Sequence, residues 1–269
     1  MFDSHPLVSV LLPALRNDNY LRDAINSILN QTFRDFHILL IADKNWDLND
    51  LMVHDSRIRH LKVSPDINLS QKLNIGIDYS DSKYLARMDA DDIAHENRLQ
   101  IQVTFLELNS NIDIVGTGIR FIGELPNHRH AEDEIALLPS ENDQLLTHML
   151  YKNPFFHPTV MIRSEKLNHY KLRYNERFVR SQDLELWSRA AGKLVFANIR
   201  EPLLSYRLHE SQIGVMERKD SEYFSSLAML RYCIISILIF DQRSRIAIKM
   251  LPFRLKRYLS TWVNRRGKN

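Results

Sequence analysis

Tyr84-Leu85-Ala86-Arg87-Met88-Asp89-Ala90-Asp91-Asp92 decides how the rest of the chain is read. A short apolar strand ends there in three carboxylates. Like charges crowded at one strand edge repel each other unless something positive sits among them. Carboxylate oxygens favour hard divalent cations such as magnesium or manganese. Such ions commonly bridge phosphates, which points to a diphosphate-bearing ligand. The competing reading is an acidic, solvated turn, and for an isolated D-x-D-D it is the better one. The neighbouring segments decide between the two.

Upstream, Val8 to Leu12 is an apolar, β-branched run closed by Pro13, the pattern of a buried strand. Tyr20, Leu21, Ala24, Ile25, Ile28 and Leu29 recur at helical spacing, with Asp18 or Asn19 available as a cap. His37 to Ile41 is a second strand that runs out at Asp43, and Arg57 to Val63 a weaker third. Leu69 to Ile77 predicts a helix before the strand Tyr84 to Met88. Strand and helix thus alternate, which predicts an α/β fold with a mostly parallel, doubly wound sheet. Ligands bind such sheets at the carboxyl ends of strands. Pro13, Asp43 and Asp89 each follow a strand and are expected along that one edge.

Downstream, Glu96 to Leu108 predicts a helix with Leu99, Val103 and Leu106 inward, and Ile112 to Ile122 a strand broken by glycines. Gly123 to Ser140 is polar and reads as a loop over a site; Glu141 to Tyr151 reads as a helix. His157-Pro158-Thr159-Val160-Met161-Ile162-Arg163 is expected to begin a strand. Ser181 to Trp187 opens a helix with Ser181 as its cap and Gly192 past its end. Leu194 to Ala197 and Leu203 to Tyr206 are expected as the last strands.

Hydrophobic content of 44% and charged content of 26% are those of a soluble globular protein. One cysteine, Cys233, excludes an internal disulfide framework and fits a reducing compartment. No signal pattern opens the sequence, and no run approaches the roughly 20 apolar residues that span a bilayer. A cytoplasmic location is therefore expected. The net charge of +3 hides an asymmetry. From Gln242 onward there are nine Lys/Arg and no acid; removing them from the totals of 36 and 33 leaves 27 against 33, a net of −6. A basic tail points to an anionic surface. No aromatic interleaving or recognisable module supports nucleic acid, so the inner face of a membrane is the expected partner. Leu251, Leu255, Tyr258, Leu259 and Trp262 fall on one helical stripe, with Arg254, Lys256 and Arg257 off it. That pattern suits a helix lying in a membrane interface, or equally one docked on the domain with its stripe buried.

Several stretches together resemble family 2 glycosyltransferases, inverting enzymes with the GT-A nucleotide-diphospho-sugar fold. Val8 to Pro13 with Tyr20 to Thr32 is similar to the family's opening. Leu73-Asn74-Ile75-Gly76-Ile77 followed by Tyr84 to Asp92 resembles its metal-binding D-x-D segment. His157 to Arg163 resembles its H-P-[ST]-V-M strand, Gln182-Asp183-Leu184-Glu185-Leu186-Trp187 its E-D-x-x-L-W, and Tyr206-Arg207-Leu208-His209 its Y-R-x-H. The motifs come in the family's order over residues 6–215. The division expected is a GT-A domain over 1–215 and a helical, basic extension over 216–269.

The resemblance implies roles. Pro13 and Asp43 fall at the nucleotide base, Asp89 on the ribose side and Asp91 on the metal at the diphosphate. Asp183 falls on the general base that takes the acceptor's proton. Arg87 either approaches the diphosphate or pairs with Asp89 or Asp92. His209 is a candidate third metal ligand or diphosphate contact, against a structural role. Asp92 is a candidate for orienting the site, His157 reads as packed and hydrogen-bonded, and Trp187 as core. His128, His130 and His148 lack metal spacing. A helix N-terminus is expected to keep Asp183 ionised. The chain departs from the family where P-x-Y-N reads Pro13-Ala14-Leu15-Arg16, where D-D-G-S reads Ala42-Asp43-Lys44-Asn45, and where Gln182 precedes the base. The function implied by the resemblance is that of a metal-assisted sugar transferase, with magnesium or manganese. It would move a sugar from a nucleotide-diphospho-sugar, UDP-linked, to a saccharide or lipid-linked saccharide in bacterial surface polysaccharide assembly. The alternative is a non-catalytic GT-A-like binding or scaffolding subunit.

Overall fold

Four apolar runs become strands: β1 (Val8–Pro13), β2 (Phe36–Asp43), β3 (Ile58–Val63) and β4 (Tyr84–Arg87). They pair in parallel in the order β3-β2-β1-β4. The computed structural model describes residues 5–46, 55–123, 132–210, 218–238 and 243–266. Successive residues of a strand point to opposite faces, and β1 shows why both faces need cover. Val8, Val10 and Leu12 enter one core with Leu21, Ala24, Ile25 and Ile28 of α1 (Asn19–Leu29) and Leu99, Val103 and Leu106 of α3 (Arg98–Leu108). Leu11 enters the other core with Leu73 and Ile77 of α2 (Leu69–Tyr79). Asp18 caps α1 by accepting from the Leu21 N–H at 3.1 Å, and Asn68 with Gln71 forms a capping box on α2. Gly76 lets α2 lie flat on the sheet: a Cβ there would stand 2.8 Å from Ile41 Cδ1 and 2.9 Å from Leu11 Cδ2.

The second half extends the same sheet with mixed pairing. β4 pairs antiparallel with β8 (Met161–Arg163), β8 with β6 (Ile114–Ile122), and β6 parallel with β9 (Phe196–Arg207). β5 (Ile93–Ala94) joins β9 at the edge and β7 (Ile135–Ala136) joins β6; neither is expected from the sequence pattern. Helices α4 (Asn142–His148), α5 (Ser164–His169) and α6 (Gln182–Ala190) complete the body. Two long helices, α7 (Arg218–Leu238) and α8 (Ser244–Arg266), come after it in the chain. Phe224, Ala228, Tyr232, Cys233 and Ala247 of this pair belong to the same core as Trp187 and Phe196.

Three expectations are corrected. His157–Thr159 is a 3-10 turn and only Met161–Arg163 is strand, because Pro158 lacks a ladder donor and Thr159 Oγ1 donates back to Phe156 O at 2.8 Å. The two last strands are one irregular strand, β9, whose register against β6 shifts at Thr117, Gly118 and Ile119. Ser181 does not cap α6 through its side chain. Its backbone is left-handed, with φ 52°, and its hydroxyl meets Ser225 Oγ at 2.6 Å instead. Residues 124–131, with His128 and His130, and the expected boundary at 215 and 216 lie outside the described residues.

Candidate active site

Parallel pairing brings the predicted edge together. Pro13 stands opposite Ile41, two residues before Asp43, and Arg87 stands opposite Leu11. The Met88 N–H donates to Leu11 O at 3.1 Å, which carries the chain out of β4 into the acidic turn beside the end of β1. Asp89, Asp91 and Asp92 each offer an oxygen, and these oxygens lie within 4.8 Å of one another.

The three carboxylates have different surroundings. Asp89 is held by both terminal nitrogens of Arg87, one at 2.7 Å. Arg87 is itself buried, so this is a guanidinium withdrawn from water and committed to a half-buried carboxylate. The pairing expected with Asp89 is present. Asp91 Oδ2 lies 3.0 Å from His209 Nε2. Asp92 is fully buried and accepts from the Arg207 N–H at 3.0 Å, while its Oδ2 has no hydrogen-bond partner. Burial pushes its carboxyl well above the usual range, and the charges of Asp89 and Asp91 push it further. An orphaned carboxylate oxygen between two like charges calls for a proton or a cation. An all-oxygen set of this kind suits magnesium or manganese.

The Y-R-x-H segment is tied to this turn. Arg207 Nε donates to Asp91 O at 2.9 Å, its guanidinium stacks 4.5 Å from the centre of the Tyr20 ring, and the Tyr20 and His209 rings lie 5.1 Å apart. Residues 116 positions apart thus close one wall.

Asp183 forms the other wall. It lies in the first turn of α6, nine-tenths buried, and Oδ2 accepts from Asn153 Nδ2 at 2.5 Å. Burial raises its carboxyl above the ordinary value; the Leu184 N–H, Asn153 and Arg87 oppose that rise without cancelling it. Dehydration outweighs the helix terminus in setting that direction. A carboxylate shifted up is a stronger proton acceptor than a solvated one. The charges of Arg87, Asp89 and Asp183 all act on Tyr174, whose hydroxyl meets His157 Nε2 at 2.8 Å. His157 is held neutral by burial and by Arg87. It packs edge-on to Trp187, which is wholly buried, so both residues have the packing roles expected of them.

Sequence reasoning missed Asn153, a loop residue without periodicity or motif around it. It also missed Lys72. This lysine interrupts the apolar face of α2, which was the available signal. Its ammonium is buried and donates to Ala14 O at 2.7 Å, directly after Pro13. Burial lowers its pKa and Asp43 opposes that. A cation therefore lies beside Pro13 and Asp43, where the P-x-Y-N and D-D-G-S patterns are altered. Asp43 Oδ1 is turned to the Asn45 N–H at 2.9 Å, closing a turn. His148 ends α4 and is not among the residues whose ligand atoms group with the carboxylates. A separate cavity of about 410 Å³ runs along β5, β6 and β9 past His95, Arg120 and Glu201, and Asp89, Asp91, Asp92 and Asp183 do not line it.

Among known proteins, the sequence model described as glycosyl transferase family 2 matches residues 9–171. An uncharacterized glycosyltransferase of Haemophilus influenzae is 32% identical, over 77% of this chain and 67% of that protein. The O-antigen biosynthesis glycosyltransferase WbnJ of Escherichia coli is 31% identical, over 76% and 80%. Among solved structures, S. aureus TarS residues 1–349 in complex with UDP-GlcNAc superposes with a TM-score of 0.68 at 15% identity, covering 94% of this chain and 72% of that one. The mannosyltransferase PcManGT of Pyrobaculum calidifontis, in complex with GDP-Man and Mn2+, superposes with a TM-score of 0.62 at 10% identity, covering 99% and 77%. These likenesses place the fold in the GT-A class. With the family's sequence model spanning more than half of it, the chain belongs to glycosyl transferase family 2 and is a glycosyltransferase.

Proposed function

We propose that the protein transfers a sugar, with inversion, from a nucleotide-diphospho-sugar to a saccharide or lipid-linked saccharide in surface polysaccharide assembly. The observation that carries this reading is a buried carboxylate, Asp183, sharing the field of Arg87 with the acidic turn Asp89 to Asp92. The donor assigned is a UDP-sugar. TarS was solved with UDP-GlcNAc, the archaeal relative in fold with GDP-Man, and WbnJ is named for O-antigen synthesis, so the substrate class has support on both sides. Asp91 and Asp92, with His209 beside Asp91, would hold a divalent cation. When bound, that ion supplies Lewis-acid charge to the departing diphosphate.

The chain's own residues do the rest. Pro13, Asp43 and Lys72 line the base end of the donor site, and Asp89 the ribose side. Arg87 fixes Asp89 and lends positive charge to the centre. Asp183 accepts the proton of the acceptor hydroxyl as that oxygen bonds to the anomeric carbon. The bond from that carbon to the diphosphate oxygen breaks, and the electron pair leaves with the nucleoside diphosphate. One displacement inverts the anomeric centre.

The test is a panel of nucleotide sugars with manganese or magnesium, scored by nucleoside diphosphate release and by NMR of the glycoside formed. Asp183→Asn should lower kcat about 100- to 10,000-fold with donor binding nearly unchanged. Retained anomeric configuration, or release that Asp183→Asn leaves intact, refutes the reading.

A further inference from the structure

Helix α8 is only half used by the fold. One side faces the body: Ala247 is fully buried, Leu251 packs on the core, and Arg254, 2% exposed, donates to Leu150 O. Tyr258 leans toward Tyr223 of α7, their rings 5.7 Å apart. The adjoining side, about a quarter-turn round the helix, carries Ile248, Leu255, Leu259 and Val263, which are 56%, 46%, 50% and 59% exposed. These positions fall at i, i+7, i+11 and i+15, a stripe roughly 22 Å long that winds slowly round the helix. Arg245, Lys249 and Lys256 are exposed along one flank of it. The stripe drawn from sequence thus divides: Leu251, Tyr258 and Trp262 are at least partly covered, and Leu255 and Leu259 face outward.

We propose that this outward face of α8 docks on an anionic phospholipid membrane, with the helix lying in the plane of the interface. The inference goes beyond the transfer reaction and does not depend on it. A row of large aliphatic side chains costs free energy in water and is relieved by shallow insertion at the headgroup boundary. The charge selects the occupant: nine cations and no acid follow Gln242, which attracts anionic headgroups. A second copy of the same face would oppose two such tails, like charge against like. No helix among the described residues is long and apolar enough to cross the membrane, so contact is lateral. The proposal gives the exposed face of α8 a job distinct from sugar transfer.

The test is co-sedimentation of the full chain with vesicles of phosphatidylethanolamine and phosphatidylglycerol, and with vesicles of phosphatidylcholine alone. Binding to the first at low salt, release at high salt and no binding to the second are expected. The double variant Leu255→Asp, Leu259→Asp should stay in the supernatant with an unchanged melting temperature. Lys249→Gln and Lys256→Gln, both on the exposed flank, should each weaken partitioning about fivefold. A chain that ignores anionic vesicles overturns the proposal, as does a leucine variant that still sediments. Concentration-dependent self-association in light scattering, abolished by the leucine variant, would assign the face to a second copy instead.

Discussion

Asn153→Ala separates the proton acceptor from its setting. Asn153 Nδ2 lies 2.5 Å from Asp183 Oδ2 and donates to it. A hydrogen bond to a charged group contributes about 1.5–3 kcal/mol. At about 1.36 kcal/mol per tenfold, its loss disfavours the ionised carboxylate by roughly 10- to 150-fold. The sign is set by the site. Burial already raises this carboxyl, Asn153 is among the groups opposing the rise, and removing it lets the pKa climb further. Asp183 must be ionised to accept a proton, so activity on the acid side is lost first and the acid limb moves to higher pH. On the alkaline plateau, where Asp183 is ionised in both proteins, the rate should stay within a few-fold of wild type. The assay is kcat/KM against pH for donor and acceptor together, with melting temperatures taken alongside. A uniform loss at every pH with the limb unmoved would refute the reasoning and make Asn153 a structural residue. A limb that does not respond to Asn153→Ala yet vanishes in Asp183→Asn would show that the hydrogen bond does not act on the ionised form.

Asp91→Asn should abolish manganese binding, read by water-proton relaxation, and metal-dependent donor hydrolysis, while leaving the melting temperature close to wild type because this carboxylate is 31% exposed. Gly116→Ala should destabilise by about 1–3 kcal/mol and lower the melting temperature by at least about 2 °C. A Cβ there would stand 2.3 Å from Asn198 Oδ1 and 2.8 Å from Phe155, and Asn198 is pinned by bonds to Pro139 O and Pro154 O at 2.9 and 3.0 Å. His37, buried against Ser9 Oγ, has its imidazole pushed down from 6.5 to about 4 by burial. Its neutral form is the one that fits, so this contribution to stability is fully present above pH 6.5 and drains away as pH falls toward 4. Denaturant melts across that window should show the loss, and His37→Gln should flatten it.

Periodicity and composition determined much of this protein. The parallel half of the sheet was legible because β1, β2 and β4 are apolar on both faces and the intervening helices carry one apolar stripe each. The carboxylate turn was legible because three acids directly after a buried strand have no packing reason to be there. Tertiary structure decided the rest. A 3-10 turn replaced half a strand at His157 because a proline and a local threonine bond outweighed β-propensity. Ser181 lost its expected cap because α7, far along the chain, offers Ser225. Asn153 carries no pattern and Lys72 shows only as a break in the apolar face of α2, since a loop amide and a single buried ammonium acquire their roles from what the fold sets beside them. The direction of the Asp183 shift depends on dehydration, a property of the packed molecule and not of the residues flanking it. The face of α8 left in water was undecidable from spacing, because Leu251 and Leu255 are equally apolar and only the position of Leu150 and the core says which one turns inward.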